Sequence, residues 1–399
     1  MPTADSTASD HRIPRTVWML GFVSLLMDLS SEMIHGLLPV FMVTVLGASA
    51  TAVGVIEGAA EATALIVKVF SGALSDYLGK RKWLAGLGYG MAAATKPMFA
   101  LAGGVGWIFA ARFVDRIGKG IRGAPRDALI ADVTPTAIRG AAFGLRQSLD
   151  TVGAFAGPLL AMGLMLLWDN DFRAVFWVAV IPAVASFAIL VFGVREPASA
   201  GRGDGNGRGF PISRAALSRL QAAYWWVVAI GAALTLARFS EAFLVLRAQQ
   251  GGVALAYVPL ALIVMNVVYA AGAYPFGKLA DRMRHDRLLA LGILPLITAD
   301  LLLAWSGDPL WLGAGLVCWG LHMAATQGLL ATMVADIAPA DMRGTAFGMF
   351  NLVSGLAMLI ASALAGWLWD SHGAPATFHA GALFAALSVL LLLPRAARR

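Results

Sequence analysis

Charge is scarce in this chain. Only 13% of its 399 residues are Asp, Glu, Lys or Arg, where a soluble protein carries about 25%. Cysteine is nearly absent: Cys318 is the single one, so no intrachain disulfide can form, and its apolar setting makes it a small packing residue. No Walker A pattern occurs, which argues against ATP as the driving force. Gly118-Lys119-Gly120-Ile121-Arg122-Gly123 fits a dinucleotide-binding pattern by letter, but it follows no strand and lies in an apolar helix, so no cofactor is expected. The loops hold no nucleophile with a base and an oxyanion donor, which argues against an enzyme. His372 and His379, in and beside one loop, are too few to make a metal site.

What is abundant is apolar sequence. Hydrophobic residues make up 59% of the chain and the mean hydropathy is +0.75. Apolar runs of about 20 residues, enough to cross a bilayer, recur from end to end. They are continuous rather than alternating, so the fold class is an all-α polytopic membrane protein and not a barrel. The net charge of +7 would suit nucleic acid, but Lys and Arg gather in alternate loops, as membrane orientation requires. The expected partner is the lipid bilayer, and nucleic acid is excluded.

Length and turn punctuation give twelve spans: 17–45, 51–74, 83–102, 105–132, 138–168 and 173–194, then 222–247, 253–279, 288–306, 309–335, 340–369 and 375–394. The expected organisation is a tail at 1–16, a six-helix bundle at 17–194, a linker at 195–221, a second bundle at 222–394 and a basic tail at 395–399. The linker holds the Gly-rich, flexible stretch Gly201 to Gly209. Lys80, Arg81, Lys82, Arg282, Arg284, Arg287 and the linker share one side, which places both termini in the cytoplasm and the protein in the inner membrane. The first apolar stretch is longer than a signal-peptide core and is read as retained.

The two halves repeat each other. Ala131-Asp132-Val133-Thr134-Pro135 with Arg139-Gly140-Ala141-Ala142-Phe143-Gly144 matches Ala335-Asp336-Ile337-Ala338-Pro339 with Arg343-Gly344-Thr345-Ala346-Phe347-Gly348 at the same internal spacing. Upstream of each copy lies a loop between apolar helices: Gly72-Ala73-Leu74-Ser75-Asp76-Tyr77-Leu78-Gly79-Lys80-Arg81-Lys82, and the reduced Gly277-Lys278-Leu279-Ala280-Asp281-Arg282. Glu32 and Glu241 hold comparable places in the first helix of each half. Repeated halves around a central site are the plan of secondary transporters.

On these motifs the chain resembles the major facilitator superfamily over nearly its whole length. The Gly72 segment is similar to that family's loop signature between helices 2 and 3. Gly153-x-x-x-Gly157-Pro158 in helix 5 resembles the motif of its proton-exchanging exporters, and the second half, with Ala361-Ser362, lacks it. Arg112 resembles the buried arginine of helix 4, although Asp115 and Arg116 stand where the family usually has Gln and Gly. Asp28-Leu29-Ser30-Ser31-Glu32-Met33-Ile34 is similar to a poorly characterised prokaryotic subgroup. The resemblance implies helices 1, 4, 7 and 10 around a central cavity, with helices 2, 5, 8 and 11 beside it, working as a monomer.

Ionisable residues inside spans cost at least about 2.5 kcal/mol each at mid-bilayer and are functional candidates. The expected proton-coupling or substrate set is Asp28, Glu32, His35, Glu61, Arg112, Asp115, Arg116, Asp150, Arg238, Glu241, His322 and Gln327, with Glu32 and Asp115 ranked first as proton carriers. Structural pairs such as Arg112 with Asp28, or Arg146 with Asp150, are the alternative use of the same charges. Glu57 is set aside as lying near the outer end of its helix. The expected gating set is Gly72, Asp76, Gly79, Lys80, Arg81, Asp132, Arg139, Gly153, Gly157, Pro158, Gly277, Asp281, Asp336 and Arg343, in which Asp76 latches the two halves. The expected activity is proton-coupled export of a small molecule, an organic cation or amphipathic drug. A divalent metal or an organic anion is the alternative substrate, and a non-transporting membrane sensor the alternative class.

Overall fold

The computed structural model describes residues 13–78, 80–196, 219–280, 282–305, 308–339 and 342–396. Gly79 and Asp281 of the expected gating set lie outside the described residues, as does most of the linker. Asp76 is described through its backbone alone.

The described chain is helical. The first half contains α1 (Arg15–His35), α2 (Leu38–Thr44), α3 (Ala50–Leu78), α4 (Arg81–Ala100), α5 (Val105–Val133), α6 (Arg139–Leu167) and α7 (Phe172–Ala188). The second contains α8 (Ala222–Ala237), α9 (Ala242–Gln250), α10 (Leu260–Ala280), α11 (His285–Trp305), α12 (Pro309–Ile337), α13 (Arg343–His372) and α14 (Ala374–Ala396). Pairs α1–α2 and α8–α9 each make one broken span, so the bundle has twelve spans in two halves of six. Nine stretches among the described residues are long and apolar enough to cross a membrane. Helices α3, α4 and α5 are not among them; α4 carries Lys96 and α5 the charged series from Arg112 to Asp127.

Loops stop and start the helices by ordinary means. Asp171 caps α7 by accepting from the backbone N–H groups of Arg173 and Ala174 at 3.0 and 3.1 Å, and Asp308 caps α12 through Leu310 N–H at 2.8 Å, with Pro309 in the first helical turn. Gly373 ends α13 at φ +85°, a conformation that suits glycine.

The two broken spans differ from the continuous helices read at 17–45 and 222–247. In the first, Gly36 and Leu37 form a turn, and Pro39 cannot donate a helical hydrogen bond. In the second, the chain leaves the helix at Arg238 (φ −109°, ψ 76°) and restarts after Glu241. No Pro or Gly marks that break. It is held by Ser240, whose N–H donates to Ser362 Oγ of α13 at 3.1 Å and whose Oγ accepts from Ala242 N–H at 3.3 Å. Spans interrupted at matching depth, with ionisable residues beside the interruption, are a feature of transporter binding sites.

The halves are closed on each other at the end opposite the basic loops. The larger hydrophobic core draws on both halves there, with Met33, Phe41 and Val53 of the first packed among Phe243, Leu262 and Trp369 of the second, and continues through the second half to Leu220, Leu288 and Met342. A smaller core nearer the basic end belongs to the first half alone. The longest seam between halves is α3 against α13, where small residues bring backbones together. A Cβ on Gly54 would fall 2.0 Å from the Ser362 carbonyl oxygen, one on Gly366 2.4 Å from that of Ala50, and one on Gly58 2.9 Å from Leu359 Cα.

Candidate functional site

Within the first half, α1 and α5 face each other with α3 and α4 beside them, and ionisable residues three and four apart put successive charges on the shared face. The result is a ladder of polar pairs. Glu57 of α3, with no exposed side chain, takes a bidentate pair of hydrogen bonds from Arg112: Nε at 3.0 Å and Nη2 at 2.6 Å. His35 bridges Glu57 and Glu32, its ring nitrogens 3.6 and 3.5 Å from their carboxylates. Arg116 reaches Glu61 at 3.2 Å. Lys96 of α4 lies 3.0 Å from both Asp115 and the Ser31 hydroxyl. Arg122 approaches Asp28 at 3.7 Å and lies over the Tyr89 ring at 4.8 Å. At the foot, Arg126 donates to Ser24 Oγ at 2.9 Å and reaches Asp150 at 4.0 Å, and Arg146 bonds Asp150 at 2.6 Å.

The rungs differ in access. Side chains of Glu61, Asp28 and Glu32 remain 34%, 29% and 25% exposed, on the basic-end side of the closure. From the second half, Arg238 and Glu241 lie at the α8–α9 break. Arg238 is within electrostatic reach of Glu61, and Glu241 of Glu32, Glu61 and His35. The break thus points its charges at the exposed carboxylates of the ladder.

The structure distributes the expected residues unequally. Asp28, Glu32, His35, Glu61, Arg116, Arg238 and Glu241 come together around the space between the halves. Arg112 is held by Glu57 and not by Asp28. Asp115 turns from that space toward Lys96, because α5 presents position 115 to α4. Asp150, eleven residues after the start of α6, is held by Arg146 and lies within electrostatic reach of Asp28. His322 is buried between α12 and α11, its Nδ1 2.7 Å from the Gly292 carbonyl oxygen. Gln327 is half-buried on α12. Among the described residues no group of three His, Cys, Asp or Glu could hold a metal ion. Asp28 is turned to Arg122 and Glu32 to His35.

Several members of the site went unread in the sequence. Glu57 does lie near the outer end of α3, but it is fully buried there and pairs with Arg112. Lys96, buried in an otherwise apolar helix, carried the signal that any charge in a span carries. Arg122 and Arg126 extend the stripe begun by Arg112 at helical spacing. Lys119, on the same helix, has an exposed side chain and no ion pair within 4.0 Å among the described residues, while lying in reach of Glu61, Glu32 and Asp28.

The gating residues fall at the helix ends and at one helix crossing. Asp132, in the first copy of the repeat, pairs with Arg81 at the start of α4. Asp336, in the second copy, lies 3.7 Å from His285 at the start of α11. The repeated motif therefore makes the same tie in both halves. Arg81 N–H also donates to Glu196 at 2.7 Å, Arg139 Nε donates to the Thr134 carbonyl at 3.3 Å, and Lys80 precedes α4 with an exposed side chain. Gly72 is in ordinary contact with Ala124, whereas Gly277 faces open space. Arg343 opens α13. Gly153 and Gly157, with Pro158, let α6 approach α1: a Cβ on Gly153 would meet the Leu25 carbonyl oxygen at 2.4 Å, and one on Gly157 would meet Glu32 Cβ at 2.8 Å. The exporter-like motif therefore buttresses the helix turn that carries Glu32.

A further tie crosses between the halves. Asp370, at the end of α13, accepts from Ala50 N–H at 2.9 Å, Thr51 N–H at 2.8 Å and Thr51 Oγ1 at 2.5 Å, capping α3 from the other half. Asp370→Ala is expected to weaken this closure by about 0.5–2 kcal/mol, the usual loss of a helix cap. Faster labelling of an introduced cysteine beneath it would register the change, and an unaltered rate would count against the cap as a gate.

Twelve spans in two repeated halves, with paired charges buried in one and a broken span aimed at them from the other, define a secondary transporter fold. A family model described as Major Facilitator Superfamily matches residues 20–362 and 243–399, and the chain belongs to that superfamily. It is 32% identical over 395 residues to an uncharacterized MFS-type transporter of Methanocaldococcus jannaschii, covering 96% of each chain. It is 24% identical over 387 residues to the inner membrane transport protein YajR of Escherichia coli, covering 94% of this chain and 81% of that one. A variant of the peptide transporter POT in complex with sulfate shares the fold at a TM-score of 0.81 and 17% identity, over 96% of this chain and 95% of that one.

Proposed function

We propose that this transporter exchanges protons for a small organic cation or amphipathic drug and exports it across the cytoplasmic membrane, with both termini inside. The observation that carries the reading is the Glu32–His35–Glu57–Arg112 chain. A carboxylate partly open to the space between the halves is joined through an imidazole to a fully buried ion pair. Glu32 and His35 are groups that take and give protons as their surroundings change from wet to dry. Asp28, Glu61 and Glu241 add negative charge around the same space, which suits a cationic substrate, whereas Arg112, Arg116 and Arg122 of α5 are already engaged. Export rests on the resemblance of Gly153, Gly157 and Pro158 to the exporter motif and on their contact with the Glu32 turn. Alternating access would come from the halves rocking about this site.

One observation favours an organic anion as a second reading. Lys119 faces the same carboxylates without an ion pair, and Arg238 forms none within 4.0 Å among the described residues.

Energised everted vesicles carrying a lumenal pH dye test both. Organic cations and organic anions are added in turn, with Glu32→Gln as control. Proton release on adding cations, lost in Glu32→Gln, is the expected result. A response to anions alone, sensitive to Lys119→Gln, transfers the assignment to the second reading. A response unaltered in Glu32→Gln overturns the proton role given to that residue.

A further inference from the structure

The second half has few ionisable residues in its spans, and one of them stands apart. Asp300 lies in α11, fifteen residues after its first residue His285, and is fully buried. Among the described residues neither carboxylate oxygen has a hydrogen-bond partner. The carboxylate rests on the bare backbone of Gly381 in α14, where a Cβ would fall 2.7 Å from Oδ2 and 3.0 Å from the Phe239 ring. Phe239 is in the α8–α9 break. Phe239 also meets Trp319 of α12 at a tilt, with ring centroids 5.6 Å apart, and the Trp319 indole N–H is likewise buried without an acceptor among the described residues. A buried acceptor and a buried donor, both without partners, thus flank one aromatic ring.

Among the described residues no charge within ion-pair distance balances Asp300. On α12, His322 is bonded to Gly292 and Thr326, and Cys318 is half-buried. On α14, His379 is exposed. From α9, Arg247 donates to the Leu303 carbonyl at 2.8 Å and to that of Ala304 at 3.4 Å. Arg238, in the break, lies nearest Glu241. An ionised carboxylate in such a place would bear the full cost of a buried, unpaired charge, which a bound proton removes. Even the neutral acid leaves polar atoms unsatisfied, and buried polar groups without partners are rare enough to need a reason.

We propose that Asp300 is a second proton-binding site, in the half opposite the charged ladder. It holds a proton while this end is closed and releases it when the α8–α9 break rearranges. Phe239 and Gly381, the two residues against the carboxylate, also line a narrow apolar cleft of about 10 Å³ with Leu236, Ala361, Thr377 and Phe384. Displacement of the Phe239 ring would free the carboxylate to take a donor such as the Trp319 N–H, and a hydrogen bond to the charged form favours ionisation. The role in transport rests on the proton-coupled reading above, but the bound proton does not. It can be detected whether or not transport is coupled to it.

Infrared spectroscopy of the full chain in lipid tests the site directly. At neutral pH a protonated-carboxyl stretch is expected that disappears in Asp300→Asn. In Gly381→Ala, where the new methyl presses on the acid, the same band should shift, which assigns it even if Asp300→Asn does not fold. In Asp370→Ala, whose closure at this end is loosened, its intensity should fall and its titration move to lower pH. No band that responds to either Asp300→Asn or Gly381→Ala overturns the proposal. A band unchanged in Asp370→Ala also overturns it, because Asp300 would then be a permanently neutral packing group. Failure of vesicle transport with this band intact would reject the coupled reading and leave the proton site standing.

Discussion

Glu57→Gln is expected to destabilise the protein by about 3–5 kcal/mol, the loss usual when one partner of a buried ion pair is removed and the other charge remains. Arg112 is 3% exposed and Glu57 not at all, so neither can turn to water. The amide cannot reproduce both charge-assisted bonds to the guanidinium, and it also withdraws negative charge from His35. Glu61→Gln breaks a pair whose carboxylate is 34% exposed and should cost far less. Combining Glu57→Gln with Arg112→Gln should recover much of the loss, since the unpaired charge is then gone. Denaturation of the purified protein in detergent measures all three against the unaltered chain. Equal losses for Glu57→Gln and Glu61→Gln would show that water reaches the upper rung, and would remove the buried pair as the anchor of the proposed proton chain.

Gly54→Val should shift the protein away from the closed end seen here. No side chain fits between Gly54 and the Ser362 carbonyl at this crossing. Ser362 also holds the α8–α9 break through Ser240, so the clash loads both seam and break. Overpacking costs typically about 1–3 kcal/mol, which as a bias between conformations is about 5–150-fold. The readout is maleimide labelling of Ala48→Cys in a Cys318→Ser background, from the side at which Ala50 and Asp370 meet. Labelling should accelerate by that factor in Gly54→Val, with transport reduced. Unchanged labelling with normal transport would mean that the seam yields locally and does not govern access.

The architecture was largely legible in the sequence, since twelve long apolar runs and a duplicated motif each have few interpretations. The matched ties Asp132–Arg81 and Asp336–His285 give that duplication a physical meaning. The breaks were not legible. At 238–241 no proline or glycine interrupts the pattern, and the interruption is held by a serine of another helix. The pairings were also out of reach, because spacing along α5 shows which charges share a face but not which neighbour that face meets. Asp28 lay close to Arg112 in expectation, yet packing gave Arg112 to Glu57 and Asp28 to Arg122. Lys96 and Asp300 were missed for another reason: a lone charge has no stripe to announce it.

The seam of small residues has a consequence for how the halves part. Helices α3 and α13 stay in contact from Ala50 and Gly366 at the closed end through Ala62 and Gly355 to Val69 and Gly348, while α6 and α10 meet over a much shorter stretch. The two halves resemble the covers of a book whose spine is α3–α13 and whose fore-edge is α6–α10. Parting the halves therefore meets most resistance along α3–α13 and least along α6–α10, so the space that holds Glu32 and Glu61 is tied shut unequally on its two sides.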